Sequence, residues 1–226
     1  MQMVIPCGGL ATRLGELAKE KPKSMMDING TPFLELQIEL LTKYKFDQLV
    51  LCIGHLGEQI EDYFGDGERF GIRIKYSKDK GLGVIGAIKN AQPLLRDDFF
   101  MMYGDSYLPS LNFDDMYKKF MHQDKLALMA VWHNDNQIDS SNLKVKDGEV
   151  IRVGEPSSDY IDYGAIVMKK EVLKHVPSNK PFSTQQLWNK LSDIKELAAY
   201  EVEERFYHIG NKQGLNELKG MMKVLS

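Results

Sequence analysis

Short apolar runs and runs with helical periodicity alternate through the first half of the chain. The short runs are typical of buried strands, and the longer ones space apolar residues three and four positions apart, as amphipathic helices do. In order, these runs are MVI, LELQIELLTKY, QLVLCI, an acidic stretch near Glu58 to Phe64, RIKY, GAIKNAQPLL and DFFMMY. Strands that alternate with helices form right-handed crossovers and a mostly parallel sheet. We therefore predict an α/β fold that binds ligands at the carboxyl ends of its strands.

The middle of the chain has a different pattern. ALMAVW is followed by the polar loop HNDNQIDSSN and by LKVKDGEVIRV, in which Asp147 and Gly148 form a hairpin signal between alternating strands. Another extended run, DYIDYGAIVM, comes next. Because no linker isolates this region, we predict a small antiparallel lid over the ligand. The remaining chain predicts helices around Thr184 to Leu197 and Lys212 to Val224, with one strand near Phe206.

Composition narrows the class of ligand and the cellular location. The 226 residues include 43% apolar and 27% charged residues with a net charge of −3, which does not favour nucleic acid as a partner. We expect Cys7 and Cys52 to be buried reduced thiols, since each lies at the end of an apolar run. The N-terminal MQMVIPCGG is broken too early for a secretory signal, and no apolar run approaches the ~20 residues that span a bilayer. We expect a cytoplasmic protein with no membrane partner.

The first strand leads into the most informative segment, PCGGLATRLGELAKEKPKSMM. Adjacent Gly8 and Gly9, with small Ala11, allow the tight turn in which bare backbone N–H groups approach a phosphate. Arg13 adds a bidentate guanidinium, and Lys23 adds a point charge. The segment matches neither the GxGxxG dinucleotide fingerprint nor the GxxxxGK[ST] loop. It therefore predicts a phosphate site of another kind.

This segment resembles the GGxGTRLxxLTxxxPKPM signature of the nucleoside-diphosphate-sugar pyrophosphorylases, which are sugar-1-phosphate nucleotidyltransferases. Ala11 replaces a glycine of the signature and Ser24 a proline. The resemblance implies a Rossmann-like nucleotidyltransferase fold in which Arg13 and Lys23 are catalytic. It also implies that the turn wraps the triphosphate. The matching residues are Gly8, Gly9, Thr12, Arg13, Leu14, Pro22, Lys23 and Met25, and the predicted nucleotide-binding run is Gly8, Gly9, Leu10, Ala11, Thr12 and Arg13.

Two later motifs follow in the family's order and extend the nucleotide site. KGLGVIGAIKNA resembles the PLGTAGAI segment, which implies that Leu82 and Gly83 line the base pocket together with Gly86 and Ala87. Asp79 is a candidate acceptor for the N–H donors of guanine. In DFFMMYGDSYL, Asp105 follows Gly104 at the end of an apolar strand. A carboxylate there suits Mg²⁺, and the resemblance gives Asp105 this role as metal ligand and nucleotide contact.

A third motif resembles the family's sugar pocket. In VIRVGEPSSDYIDYGAIVM the resemblance assigns Glu155, Tyr160, Asp162 and Gly164 to the sugar, and Asn142 of SSNLKV is a further candidate for the sugar or ribose. A carboxylate can accept hydrogen bonds from two hydroxyls at once. The sequence thus divides into a nucleotide-binding half, about 1–110, and a sugar-binding half, about 111–226, of one domain.

Three positions depart from the family pattern. Pro156 replaces the lysine that usually follows the glutamate, and Asp162 replaces an asparagine. His208, in FYHIGNKQGL, replaces the usual second metal-binding aspartate, although imidazole is a poor ligand for Mg²⁺. One metal held mainly by Asp105 and phosphates, a ligand elsewhere, and a merely packed His208 are all compatible with the sequence.

The resemblance implies attack of a sugar 1-phosphate on the α-phosphorus of a nucleoside triphosphate, with release of pyrophosphate. GGLATRL, KPKSMM and SSNLKV are most similar to bacterial heptose-1-phosphate guanylyltransferases of surface-polysaccharide synthesis, which favours GTP and D-glycero-α-D-manno-heptose 1-phosphate. Mannose-1-phosphate guanylyltransferase, N-acetylmuramate-1-phosphate uridylyltransferase and phosphocholine cytidylyltransferase are competing assignments. A catalytically silent nucleotide-sugar-binding module is an alternative of another class. A nicotinamide-dependent oxidoreductase is disfavoured by the glycine spacing.

Overall fold

Parallel strands form the first half of the fold. A computed structural model describes residues 1–9, 20–79, 81–155, 158–178 and 180–225. Four strands of the first half join the main sheet, and every residue of the strand at Gln48–Ile53 is buried. The elements are β1 (Gln2–Pro6), β2 (Asp27–Ile28), β3 (Thr31–Pro32), α1 (Phe33–Thr42), β4 (Gln48–Ile53), α2 (Gly57–Phe64), β5 (Arg73–Lys78), α3 (Gly83–Asn90) and β6 (Asp98–Met102).

The second half adds strands to the same sheet. Its helix α5 begins with a capping box, in which the Ser183 hydroxyl accepts from the Gln186 N–H and the Gln186 side chain accepts from the Ser183 N–H. The elements are β7 (Ser106–Tyr107), α4 (Phe113–His122), β8 (Ala127–His133), β9 (Leu143–Lys146), β10 (Glu149–Val153), β11 (Tyr160–Lys169), α5 (Thr184–Asp193), β12 (Leu197–Val202), β13 (Tyr207–His208) and α6 (Lys212–Leu225).

The described residues form one nine-stranded mixed sheet in the order β5-β4-β1-β6-β11-β8-β12-β10-β9. β5, β4, β1 and β6 are parallel neighbours, as the sequence predicts. β11 then pairs antiparallel with both β6 and β8. The Rossmann-like α/β class is confirmed. The sheet is more mixed than the first half of the sequence suggests, because β11, at the centre of the sheet, runs antiparallel to both of its neighbours, β6 and β8.

Two elements differ from the sequence-based expectations. The predicted hairpin forms at Asp147 and Gly148, both with positive φ, but β10 pairs with β12, so the hairpin extends the edge of the main sheet. The helix predicted to reach Leu197 ends at Asp193. Lys195 adopts a φ of +58°, and the chain then enters β12 beside β8. Left-handed backbone of this kind ends a helix, and it leaves apolar residues free to form a strand.

Two apolar layers cover the sheet. Alternate residues of a strand point to opposite faces, so Ile5 belongs to the layer that includes buried residues of α1, α2, α4 and α6, whereas Val4 belongs to the layer with those of α3 and α5. Cys7 and Cys52 are free and buried, as predicted. Burial raises the pKa of the Cys7 thiol to about 12, so it remains protonated at neutral pH. None of the described helices is both long and apolar enough to cross a membrane.

The carboxyl ends of β1 and β6 approach each other closely. A Cβ on Gly104 would lie 2.2 Å from the carbonyl oxygen of Pro6, so only glycine fits between these strand ends. The Gln37 side chain fixes the same turn by donating to the carbonyls of Tyr103 at 3.1 Å and Ser106 at 2.7 Å. This packing positions the residues that follow β6.

We predict that Gly104→Ala destabilises the protein by about 3 kcal/mol, because a backbone oxygen cannot move aside as a flexible side chain can. Gly220→Ala is the matched control. Its Cβ would meet no atom within 4 Å, and alanine is favoured in a helix interior by up to about 1 kcal/mol. Urea unfolding followed by circular dichroism measures both changes. Equal stability of the Gly104→Ala variant and the native protein would contradict the close approach.

Candidate active site

A cavity of about 370 Å³ lies at the carboxyl ends of β1 and β6, beside the loop that follows β5. It gathers predicted residues from three motifs, namely the first segment with its glycine turn and Lys23, the base-pocket segment with the preceding Asp79, and the strand-end aspartate. The predicted residues that line it are Gly8, Gly9, Lys23, Asp79, Gly83 and Asp105. Leu10, Ala11, Thr12 and Arg13 lie outside the described residues.

Gly8 packs closely against the Asp79 side chain. A Cβ at Gly8 would lie 2.6 Å from Asp79 Oδ2, and a Cβ at neighbouring Gly54 would lie 3.0 Å from the Gly8 Cα. Asp79 is fixed in turn, since its Oδ1 accepts from the Gly81 N–H at 2.9 Å. The glycine turn and the Asp79 loop therefore form one wall of the cavity.

Lys23 and Asp105 form an ion pair on the opposite wall. Lys23 Nζ donates to Asp105 Oδ2 at 2.6 Å, and the two side chains are 18% and 38% exposed. Pro22 precedes the short helical turn Lys23–Met25, which directs the lysine into the cavity. A positive group and a carboxylate are thus available together at a solvent-accessible site.

Three predicted sugar-binding residues form a hydrogen-bonded group. Asn142 Oδ1 accepts from the Asp162 N–H at 3.3 Å, and Asp162 Oδ1 accepts from the Gly164 N–H at 2.9 Å. Gly164 has a φ of +102°, which favours glycine, and its Cβ would lie 2.8 Å from Ser106 Oγ. Burial raises the pKa of the Asp162 carboxyl to about 6, although hydrogen bonds from Gly164 and Tyr103 oppose that shift.

The other two predicted sugar residues face elsewhere. Tyr160 donates to Glu201 Oε1 at 3.4 Å and packs edge-on against the His133 ring, with the ring centroids 4.9 Å apart. Glu155 lines a separate open cavity of about 560 Å³. Its Oε1 lies 3.9 Å from Lys144 Nζ, which places a positive charge beside the carboxylate although no lysine follows Glu155 in the sequence.

Leu82 also lies apart from the first cavity. Its side chain covers Gly86 and lines a neighbouring cavity of about 480 Å³ with Lys89 and Lys170. Gly83, the next residue, lines the first cavity. The two cavities thus flank the beginning of α3.

Sequence reasoning missed Tyr103 and Ser24. Tyr103 lines the first cavity, and its hydroxyl donates to Asp162 Oδ2 at 2.9 Å. Ser24 lines the same cavity while only 1% exposed, and its side chain lies beside the Cys7 thiol. The position of Tyr103 directly before the Gly104–Asp105 motif was the available signal. The signal for Ser24 was its replacement of a signature proline.

Comparison with known proteins establishes the family. A family model described as "Nucleotidyl transferase" matches residues 2–139. A D-glycero-alpha-D-manno-heptose 1-phosphate guanylyltransferase of Campylobacter jejuni is 30% identical over 218 residues, covering 93% of this chain and 95% of that protein. The chain belongs to the nucleotidyl transferase family. It is a sugar-1-phosphate nucleotidyltransferase, as the motifs predict.

Other similar nucleotidyltransferases differ in base and sugar. A UTP–glucose-1-phosphate uridylyltransferase of Synechocystis sp. is also 30% identical, covering 85% of this chain and 55% of that protein. The solved structure of HddC from Yersinia pseudotuberculosis, complexed with GMP-PN, has a TM-score of 0.80 and 24% identity and covers 98% of this chain and 99% of that one. The comparisons therefore establish the family and the fold, but not the base or the sugar that this chain uses.

The nucleotidyltransferase cavity fits a hard cation that takes most of its ligands from substrate. Asp105 supplies a partly exposed carboxylate, and Mg²⁺ commonly uses one or two carboxylates together with phosphate oxygens and water. No group of three or more His, Cys, Asp or Glu side chains that could hold a metal occurs in the described part of the chain. Asp105 would hold the ion, which would neutralise phosphate charge.

His208 lies next to Asp105 but has both ring nitrogens engaged. Its Nδ1 accepts from the Gly210 N–H at 3.0 Å, and its Nε2 lies 3.4 Å from Asp139 Oδ2. An imidazole that accepts at Nδ1 carries its proton at Nε2, so it has no free lone pair for a metal. The ring is also only 12% exposed. This arrangement favours a packed, hydrogen-bonded residue among the roles that the sequence leaves open.

We predict that His208→Asn leaves the Mg²⁺ concentration for half-maximal nucleotidyl transfer within about threefold of the native value, because the imidazole has no lone pair to offer. Asp105→Asn should raise that concentration at least about tenfold, since a metal-binding carboxylate loses its charge. Initial rates over a Mg²⁺ series measure both. A parallel rise in the two variants would make His208 a metal ligand.

Proposed function

We propose that this nucleotidyltransferase joins GTP to D-glycero-α-D-manno-heptose 1-phosphate, giving the GDP-sugar and pyrophosphate for surface-polysaccharide synthesis. The observation that carries the proposal is the Lys23–Asp105 contact beside the Gly8 turn, because it brings three sequence motifs to one cavity. The cavity opens at the carboxyl ends of parallel strands, where α/β proteins bind nucleotides.

Charge neutralisation is the main requirement of this reaction. The nucleophile is a phosphate monoester with a second pKa of about 6, so it is ionised at neutral pH and needs no protein base. Two unit charges ~4 Å apart repel by about 4 kcal/mol in a surface-like dielectric of about 20. Lys23 and Arg13 would offset this repulsion, and Asp105 would hold Mg²⁺, which supplies further positive charge to the phosphates. The chain then aligns the two substrates for in-line displacement.

Asp79 supports guanine as the base. Its carboxylate lines the cavity beside Gly8 and Gly83, and guanine presents N–H donors on its pairing edge. Only one of its oxygens is engaged by Gly81. The guanylyltransferase activity named for the Campylobacter jejuni relative and the GMP-PN complex of the Yersinia protein agree with this choice.

The hydrogen-bonded group Asn142, Asp162 and Gly164 supports sugar binding next to the Tyr103 hydroxyl. An ionised Asp162 retains lone pairs for sugar hydroxyls after accepting from Gly164 and Tyr103.

Lys144, which lies beside Glu155, supplies the positive charge for the sugar phosphate in place of the missing lysine. Lys144→Gln should raise KM for the sugar phosphate without raising KM for GTP, and an equal rise in both would remove Lys144 from this role.

A panel assay tests the substrates and the activity together. The protein is incubated with Mg²⁺, each of the four nucleoside triphosphates and a set of sugar 1-phosphates, and pyrophosphate release is measured. We expect the highest kcat/KM with GTP and the heptose 1-phosphate. Preference for mannose 1-phosphate, or for UTP or CTP, would replace the substrate assignment. Binding without release in every combination would support the catalytically silent module.

We predict that Lys23→Ala and Asp105→Ala each lower kcat by at least about 100-fold, as the loss of an electrostatic stabiliser commonly does. Lys125→Ala is the matched control, because Lys125 Nζ forms an ion pair of similar length, 2.7 Å, with Glu149 away from the cavity. That variant should retain native kcat. Normal turnover of Lys23→Ala at saturating substrates and Mg²⁺ would exclude Lys23 from the mechanism.

A further inference from the structure

Tyr103 lies between the two substrate sites. Its backbone N–H donates to the Gly164 carbonyl at 3.0 Å, and its carbonyl accepts from Gln37 at 3.1 Å. The residue lines the cavity with Gly83 and Val84. Hydrogen bonds on both sides of the backbone therefore fix a residue that lines the nucleotide cavity and whose hydroxyl reaches the sugar-site carboxylate.

The Tyr103 hydroxyl is committed to Asp162. It donates to Asp162 Oδ2 at 2.9 Å, while Asp162 Oδ1 accepts from the Gly164 N–H. Among the described residues, Tyr103 is the one titratable side chain that hydrogen-bonds to this carboxylate. The carboxylate is thus held by two neutral donors and has no cationic partner in the described part of the chain.

Among the described residues, no charged side chain contributes to the shift of the Asp162 pKa. Across the strand pair, Asp162 lies opposite apolar Val131 of β8, and Asn142 contacts its backbone N–H. Near the Tyr103 hydroxyl are the side chains of Thr184 and Trp188, from α5. Burial raises the pKa of Tyr103 well above its ordinary value, so the hydroxyl remains a donor through the neutral range.

A hydroxyl that donates to a carboxylate stabilises the ionised form. Burial acts in the opposite direction and raises the pKa of Asp162 to about 6, close to neutral pH. Loss of the Tyr103 donor removes one of the two opposing hydrogen bonds. The carboxyl then becomes protonated at a higher pH and loses acceptor capacity for sugar hydroxyls.

We propose that Tyr103 is a positioning residue that keeps Asp162 ionised and oriented as the acceptor for hydroxyls of the sugar phosphate. This inference rests on the proposed function, because it requires a sugar phosphate beside Asp162. Tyr103 thus controls the affinity for the sugar phosphate although it lines the nucleotide cavity. The relevant ligand chemistry is a polyhydroxylated phosphate monoester.

The first test measures the carboxyl directly and needs no activity. Carboxyl ¹³C resonances of the labelled full-length protein are titrated with pH, and Asp162→Asn identifies the Asp162 signal. In Tyr103→Phe, the Asp162 midpoint should rise by about one unit or more, as expected for loss of a hydrogen bond to a charged group. Tyr117→Phe, which removes a 3.0 Å hydrogen bond to Asp98 elsewhere, should leave this midpoint unchanged. An unshifted midpoint in Tyr103→Phe overturns the proposal.

The second test separates positioning from a general structural role. With the substrate pair that the panel identifies, Tyr103→Phe should raise KM for the sugar phosphate about tenfold at pH 6.5 and less than about threefold at pH 8.5, where Asp162 is ionised in both proteins. KM for the nucleotide should change less than about twofold. In the Asp162→Asn background, Tyr103→Phe should have no further pH-dependent effect. This comparison also cancels the ionisation of the substrate phosphate.

The outcomes distinguish the two proposals. A KM increase of equal size at both pH values, or one confined to the nucleotide, overturns the role of Tyr103 while leaving nucleotidyl transfer intact. Failure of every substrate pair to release pyrophosphate overturns the proposed function and, with it, the assignment of Asp162 to sugar. The carboxyl titration would then still report whether Tyr103 controls the ionisation of Asp162.

Discussion

The close approach of strand ends at the edge of the sheet is the constraint on which the site depends. Gly104 lies against the Pro6 carbonyl at a distance that excludes a Cβ, and Gly8 packs against the Asp79 side chain. These contacts bring the Asp79 loop and the turn after β6 to opposite walls of one cavity. The Lys23–Asp105 ion pair then joins residues 82 positions apart in the sequence. The packing of these turns, rather than any one charged group, therefore determines where Lys23, Asp79 and Asp105 meet.

The sequence predicted the α/β class because apolar periodicity records which faces are buried, and the parallel strands of the first half follow directly from it. It placed the run DYIDYGAIVM in a small antiparallel lid and did not predict that β11 lies within the main sheet, between β6 and β8. An apolar strand that is covered on both faces has the same composition whichever strands lie beside it. β12 was missed for a related reason, since LAAYEV continues a helical run and only the left-handed turn at Lys195 separates the two.

The sequence predicted some residues of the candidate site and missed others. Residues in spaced motifs, such as Gly8, Lys23 and Asp105, meet at one cavity because strand ends of a parallel sheet share an edge. The position of Tyr103 before Gly104 and Asp105 could have marked it as a cavity residue. Its contact with Asp162 was not predictable, because that contact depends on the antiparallel pairing of β6 with β11. Lys144 was likewise hidden, since its proximity to Glu155 depends on the register of the β9–β10 hairpin.

The irregular register of β11 divides that strand into two parts. Residues 160–162 pair with β8, and Tyr160 also pairs with Leu143 of β9. The register shifts before Ile166, and the carboxyl-terminal part of the strand pairs with both β6 and β8. Gly164, with its φ of +102°, lies within the shift. An irregularity of this kind redirects side chains without displacing the regular ladder on either side. A substitution in the amino-terminal part of β11 can consequently change the surroundings of Asp162 while the ladder with β6 and β8 beyond the shift keeps its register.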